Sequence, residues 1–446
     1  MSRILQIMSL RIILTIYCVF IVLQLNAQVT QSNAISGYDT LTLQQIMEVV
    51  IGNHPYVKAQ EELVNKADAR IGIARSGYYP SVNASLNVSH VEPVPEIPFN
   101  GQNFQLFPNN NFDAGLNVYE NIYDFGKTAS LTAMAKATKD LMQDTLESTK
   151  QNLALGVVRN YYTLIYLQEA IKITDEQLKI LQQHLDFVKK KKLTGSGTQY
   201  DILSTQVKIS NVENQKLDFT AFRDVQLALL NSLLGLPART FHTVKDTLNI
   251  KVPDIPDDSL ITYALSHRNE MAMAQKKTDL ANLHLDVIKS HNRPSVNFIA
   301  QGGWKNGYPF DVNKIRPYYL VGVGIQVPIY DGTRLKYNLM DARASVEGLT
   351  QLAEITRRHI SSEVVENQTR LLTSSKKLQQ SELKLSQAQE AYKLAETNYS
   401  AGINTNLDLL DASSNVSQSK LDLLKAQTDY AINVYAYEAS LGEQVY

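Results

Sequence analysis

The second half of this 446-residue chain repeats the first, motif by motif, and the motifs alternate long helical runs with pairs of strands. Pro80-Ser81-Val82-Asn83 returns as Pro294-Ser295-Val296-Asn297, 214 residues later. Ile122-Tyr123-Asp124 returns as Ile329-Tyr330-Asp331 at an offset of 207. The same offset carries Gly195, Thr198, Asp201 and Leu203 onto Gly402, Thr405, Asp408 and Leu410, and Leu234-Gly235 onto Leu441-Gly442. The offset changes once, between two strands, so one hairpin loop is longer than its twin. Self-similarity at this period means a duplicated supersecondary unit, which constrains the architecture before any single residue does.

The strands announce themselves by period. Val82, Ala84, Leu86 and Val88 alternate with Asn83, Ser85, Asn87 and Ser89, one apolar face against one small polar face. Residues 92–111, rich in Pro, Asn and Phe, read as a long loop, and 112–122 as the return strand. The second repeat predicts strands over 296–304 and 319–329, where Val321, Val323, Ile325 and Val327 alternate with Gly322, Gly324 and Gln326. These lengths are near the ~9–11 residues that cross an outer membrane when tilted. Four strands cannot close around a lumen, since the smallest membrane barrels have about 8. Strands must therefore be shared between subunits.

Proline-free helical runs follow each hairpin, over 124–193 and 331–401, and about 70 residues make roughly 105 Å of helix. Heptad spacing marks their partner-facing seams. Leu371, Leu378, Leu385, Tyr392 and Tyr399 alternate with Ser374, Ser381, Ala388 and Ala395, and the first run carries Leu164, Ile171, Leu178 and Leu185 with Leu167, Thr174, Leu181 and Val188. After a glycine turn a shorter helix returns, over 200–234 and 407–441. Helices over 41–79 and 257–292 supply the missing length, stacked end to end on the short ones, and 236–256 joins the repeats as an irregular girdle.

Composition places the chain in the envelope. Arg3 and Arg11, an apolar stretch from Ile12 to Leu25 and Leu25-Asn26-Ala27 read as a secretory signal peptide over 1–27. The only cysteine, Cys18, lies inside that stretch after the bulky Tyr17, which is not the pattern of a lipid anchor. Removing the leader takes two arginines and no acid, leaving 41 basic against 44 acidic residues. There is no basic stripe for nucleic acid. No later segment has the roughly 20 apolar residues of a membrane helix, so any crossing is made by strands. Aromatic residues suit two interfacial belts, Tyr78, Tyr79, Tyr123 and Tyr330 at the helix ends of the strands, and Trp304, Tyr308, Tyr318 and Tyr319 at the loop ends.

Enzyme signals are poor. Thr194-Gly195-Ser196-Gly197 lacks the lysine and preceding strand of a phosphate loop. The eight histidines show no paired ligand spacing and read as surface positions. Gly195 and Gly402 sit just past helix ends, where a left-handed cap favours glycine. Thr198 and Thr405 precede Asp201 and Asp408 by three residues, a capping box with Asp in place of Glu. Asp408 and Asp411 share a helix face. Lys189 to Lys192 form a basic run that suits a solvated helix C-terminus, with contact to an acidic partner tip as the other reading.

Taken together, the two Pro-Ser-Val-Asn strand starts, the two Ile-Tyr-Asp junctions and the two tip segments, 193–203 and 399–411, resemble the TolC-like outer membrane efflux proteins over nearly the whole mature chain. The resemblance implies a mostly α fold with membrane β. Three chains would form a 12-stranded β-barrel continued by a 12-helix α-barrel across the periplasm. It implies a passive exit duct in the outer membrane lipid, with no cofactor. Its helical tips would dock a periplasmic adaptor and an inner membrane pump of RND (proton-driven) or ABC (ATP-driven) type.

The resemblance assigns adaptor docking to Gly195, Thr198, Gly402 and Thr405. It maps a periplasmic acid gate onto Asp408 and Asp411, stacked rings of the kind that select cations. It also places Asp201 and Tyr399 in the network that holds the tips shut, against a basic residue at the position of Asn404. Asn404 is a departure, because no ion pair to Asp201 can form there. The expected division is 28–235 for the first repeat, 236–256 for the link and 257–446 for the second repeat, with tip turns at 194–199 and 401–406. A stand-alone pore and a non-conducting coiled-coil scaffold are the other readings of the residues.

Overall fold

A computed structural model describes residues 40–99, 102–245, 259–309 and 311–446. The leader assigned to 1–27 and the part of the link from 246 onward lie outside the described residues. The first repeat runs β1 (Thr40–Leu41), α1 (Leu43–Asn53), α2 (Pro55–Arg75), β2 (Ser81–His90), β3 (Glu96–Phe99), β4 (Gln102–Gln105), β5 (Asn110–Tyr123), α3 (Lys127–Leu193) and α4 (Gln199–Leu234). The link contributes β6 (Thr243–Val244), which pairs in parallel with β1. The second repeat runs α5 (Leu260–His267), α6 (Asn269–Ser290), β7 (Ser295–Lys305), β8 (Arg316–Gln326), α7 (Arg334–Ser400) and α8 (Asn406–Leu441).

Two expectations are corrected. The single helix expected over 41–79 is broken at His54 (φ −63°, ψ 132°), because the proline at 55 disfavours helical backbone in the residue before it and instead starts the next helix at its first position. Its twin over 257–292 is broken at Arg268 (φ −71°, ψ 125°) with no proline present. There the buried guanidinium holds the break. It donates to Glu270 (2.9 Å), Glu363 (3.0 Å) and the Ser440 carbonyl (3.3 Å), tying α6, α7 and α8 to one point. Arg268→Met should therefore cost about 2 kcal/mol, read as a lower urea midpoint; an unchanged midpoint would refute this role.

The second correction is the loop over 92–111, which contains the antiparallel hairpin β3–β4, Ile97 opposite Phe104. Asn100-Gly101 lies between the two strands in sequence, a dipeptide favoured in two-residue hairpin loops.

The long strands form one antiparallel sheet in the order β2-β5-β7-β8. Register puts Val82, Ala84 and Leu86 opposite Val118, Leu116 and Ala114, and these opposite Ala300, Gly302 and Trp304. Tyr319 and Val321 of β8 continue the same face. It is apolar but for Glu120, opposite Phe298 toward the helix end, and bare: Leu86 is 65%, Val321 65% and Ile325 72% exposed. The opposite face carries Asn83, Ser85, Asn117, Asn297, Gln301, Gly322 and Gly324. Its charges lie in one row at the loop end, Asp113 opposite Lys305 opposite Arg316.

α3 and α7 each have 67 residues, about 100 Å of helix, and α4 and α8 each have 36. α2 and α4 lie along one side of α3, α6 and α8 along the other, and α7 packs beyond α6 and α8. The result is a four-column palisade. Its core is thickest where the short helices meet. Ile46, Val50, Val157, Leu164, Leu227 and Leu234 are buried in the first repeat, and their twins Leu260, Ala264, Val364, Leu371, Val434 and Leu441 in the second. The duplication is thus a duplication of packing. No described helix is long and apolar enough to cross a membrane.

Candidate functional site at the helical tips

Both long helices end in the same way. Gly195 (φ 80°) and Gly402 (φ 76°) take the left-handed conformation that lets the chain turn. The following amides close the turns, Ser196 N–H to the Lys191 carbonyl (3.0 Å) and Ile403 N–H to that of Asn398 (2.8 Å). Each return helix then opens with a capping box. The Thr198 hydroxyl accepts from Asp201 N–H (3.1 Å) while the Asp201 carboxylate accepts from Thr198 N–H (2.9 Å). Thr405 and Asp408 do the same at 3.2 and 2.8 Å. Hydrogen bonds from Thr405 hold the Asp408 carboxyl below the usual range.

The two turns share no backbone hydrogen bond among those described. What joins them is a side-chain cluster. Tyr399, 8% exposed, packs at a tilt against His184 (5.6 Å between ring centres) and edge-on against Phe187 (6.2 Å), and the Lys191 ammonium lies 4.3 Å from its ring centre. Burial, with the nearby Asp201 charge, raises the Tyr399 hydroxyl pKa. His184 Nε2 is 2.6 Å from the Asn406 side-chain oxygen, and the Asn406 amide donates to the Asp201 carbonyl (3.3 Å) and Ser204 hydroxyl (3.2 Å). Asn406 is 4% exposed. One buried amide thus ties α3 and α4 to the start of α8. Below it a 350 Å³ cleft lined by Ile180, Leu181, Phe187, Leu409 and Leu410 separates α3 from α7 and α8.

The structure therefore brings Asp201 and Tyr399 into one neighbourhood but leaves Asn404 to one side, bonded through its backbone N–H to the Asn398 carbonyl (3.3 Å). Asp411 is ion-paired: Lys208 of α4 reaches it at 2.9 Å. The lysine run is not merely solvated, since Lys191 sits over Phe187 and Tyr399, and Lys192 donates to Gln199. Nor do surface positions explain all the histidines, because His184 is half-buried and His242 is 7% exposed. Sequence reasoning missed His184, Lys191 and Asn406. The available signal was broken repeat symmetry, as Ala391, Asn398 and Gln199 occupy their twin positions.

At the strand ends Tyr78, Tyr79, Tyr123 and Tyr330 are exposed, as are Trp304 and Tyr319 on the apolar face. Tyr318 departs from the expected belt. It lies on the polar face, hydrogen-bonds Asp113 (3.2 Å) and stacks under Lys305, which also reaches Tyr308. Among the described residues no cluster of His, Cys, Asp and Glu could hold a metal ion.

The chain is 25% identical over 380 residues to the pyoverdine export outer membrane protein OpmQ of Pseudomonas putida, covering 83% of this chain and 79% of that one. It is 19% identical over 377 residues to the proteases secretion protein PrtF of Dickeya chrysanthemi, covering 81% and 80%. Among solved structures the CmeC outer membrane channel of Campylobacter jejuni superposes with a TM-score of 0.79 at 17% identity, covering 90% of this chain and 85% of that one. The family model for outer membrane efflux proteins matches residues 47–236 and 260–443, the two repeats in turn. With its bare apolar sheet, paired tip turns and twice-matched repeat, the chain belongs to the outer membrane efflux protein family, whose members are channels of the outer membrane rather than enzymes.

Proposed function

We propose that three copies assemble into one exit duct, a 12-stranded barrel in the outer membrane continued by a 12-helix tunnel, passively carrying cargo delivered by an adaptor and an inner membrane pump. The observation that carries this reading is the four-stranded sheet, whose edge strands β2 and β8 have no partner among the described residues while its apolar face is bare. Unpaired backbone edges are not tolerated in hydrocarbon, so β8 of one copy must meet β2 of the next. The palisade supports the same closure, with Leu352, Leu372, Leu383 and Leu394 exposed on α7 and Val207, Leu217, Phe222 and Leu229 exposed on α4.

In this reading Gly195, Thr198, Gly402 and Thr405 shape the docking tips, and Asp201, Tyr399, Asp408 and Asp411 belong to the gate. The purified protein should run as a trimer by native mass spectrometry and give discrete conductance steps in a planar bilayer. A monomer, or a trimer without channels, would overturn the duct in favour of a scaffold. Asn404→Cys, with a short bifunctional crosslinker in intact cells, should yield a periplasmic adaptor; chain-to-chain products alone would favour a stand-alone pore.

A further inference from the structure

The two tips share one backbone design and carry opposite charge. Residues 186–208 hold five lysines (189, 190, 191, 192 and 208) against Asp186 and Asp201, while the twin segment 393–415 holds Lys393 against Glu396, Asp408 and Asp411. The caps are identical in kind, each closed by one aspartate (Asp201, Asp408), so the remaining charges are not needed to make the turns. Three of the first tip's five lysines have no acidic partner among the described residues, Lys189 and Lys208 being the paired ones. Lys189 is 3.6 Å from Asp186, but Lys191 rests on aromatic rings and Lys192 on the neutral Gln199 amide. At the second tip Asp408 is bound to its own cap and Asp411 to Lys208. Each turn also presents one bare aliphatic side chain, Leu193 (88% exposed) and Ile403 (74% exposed). An apolar contact inside a charged rim is the usual anatomy of a protein interface.

We infer that the two tips dock two different partner surfaces, an acidic polypeptide surface at the Lys189–Lys192 tip and a basic one at the Asp408 tip. The inference rests on the tripartite reading and deepens it. Six tips of alternating charge would fix the rotational register of a partner ring, because a one-tip slip would set like charges against each other.

The test places photoreactive p-benzoylphenylalanine at Thr194 or at its twin Ala401 in intact cells, with the captured peptides mapped by mass spectrometry. A periplasmic adaptor peptide rich in Asp and Glu is expected from position 194, and one rich in Lys and Arg from 401. In a Lys189→Glu/Lys190→Glu background the yield at 194 should fall at least ten-fold while that at 401 stays within two-fold. Lys189→Arg/Lys190→Arg should retain the full yield, which separates charge from fold. Adaptor capture at 194 without acidic excess, or a yield that the reversal does not change, overturns this inference and leaves the duct intact. Capture of only a second copy of this chain, or of nothing, at both tips overturns the tripartite reading together with it.

Discussion

Gly303→Ala is expected to remove the protein from the outer membrane, while Gly302→Ala, one residue earlier on the same strand, is expected to be nearly silent. A β-carbon at Gly303 would stand 2.1 Å from the Ala114 carbonyl oxygen and 2.6 Å from the Gly115 α-carbon. Both are backbone atoms of β5, and neither can move without breaking the β5–β7 register, in which Gly303 faces Gly115. A β-carbon at Gly302 would meet nothing nearer than the Tyr318 carbonyl at 3.8 Å, an ordinary contact. The two positions point to opposite faces, so the contrast separates close approach of two strands from a general intolerance of side chains.

Overpacking against backbone costs about 3 kcal/mol or more. In the proposed trimer three copies of the fault would meet in one barrel. Membrane fractionation and immunoblotting should show at least a ten-fold loss of Gly303→Ala and wild-type levels of Gly302→Ala. Equal levels of the two variants would show that the strands can part at this pair and that the sheet is less tightly constrained than its geometry indicates.

Much of this architecture was legible because duplication and period are properties of the sequence itself. Alternating Val82 to Val88 marked a strand with a bare apolar face, and the Leu371 and Leu164 heptads marked seams of which the palisade buries Leu371, Ser374, Leu164 and Leu181 and half-buries Leu378, Leu385 and Ile171. What was not legible depends on partners distant in the chain. The break at His54 follows from Pro55, but the matching break at Arg268 is set by Glu363 and Ser440, 95 and 172 residues away. The tip network failed for the same reason. Thr405 and Asp408 declare their cap locally, whereas Asn406 acquires its role from His184, 222 residues earlier. A buried amide at the first position of a helix has no local signature. The resemblance pointed to Asn404, two residues away, and the structure directs the side-chain contacts to Asn406.

That displacement has a large expected consequence. Asn406→Leu should open the tips far more than Asn404→Ala. If the duct opens by parting the α3–α4 hairpin from the α7–α8 hairpin, the closed state is held by whatever joins the two near their ends. Asn406 supplies the buried polar part of that junction, accepting from His184 on α3 and donating to the start of α4, beside the Tyr399 ring cluster and the exposed Lys208–Asp411 pair. Leucine fills similar space and leaves the Thr405–Asp408 cap in place, but it strands the His184 ring nitrogen and removes the bonds to the Asp201 carbonyl and Ser204 hydroxyl. Losing these buried hydrogen bonds costs about 3 kcal/mol, or roughly a hundred-fold in the closed-to-open ratio. Lys191→Met removes only a cation over the Tyr399 ring, about 1 kcal/mol, and should raise the open fraction roughly five-fold. Asn404→Ala forfeits no side-chain bond and should change it less than three-fold. Open probability in planar bilayers, with uptake of an antibiotic too large for intact cells, would rank the three variants. A ranking with Asn404→Ala at the top would return the latch to the position the family resemblance assigns. The expected ranking would mean that a buried neutral amide, whose strength salt should scarcely screen, holds the tips beside the exposed Lys208–Asp411 ion pair.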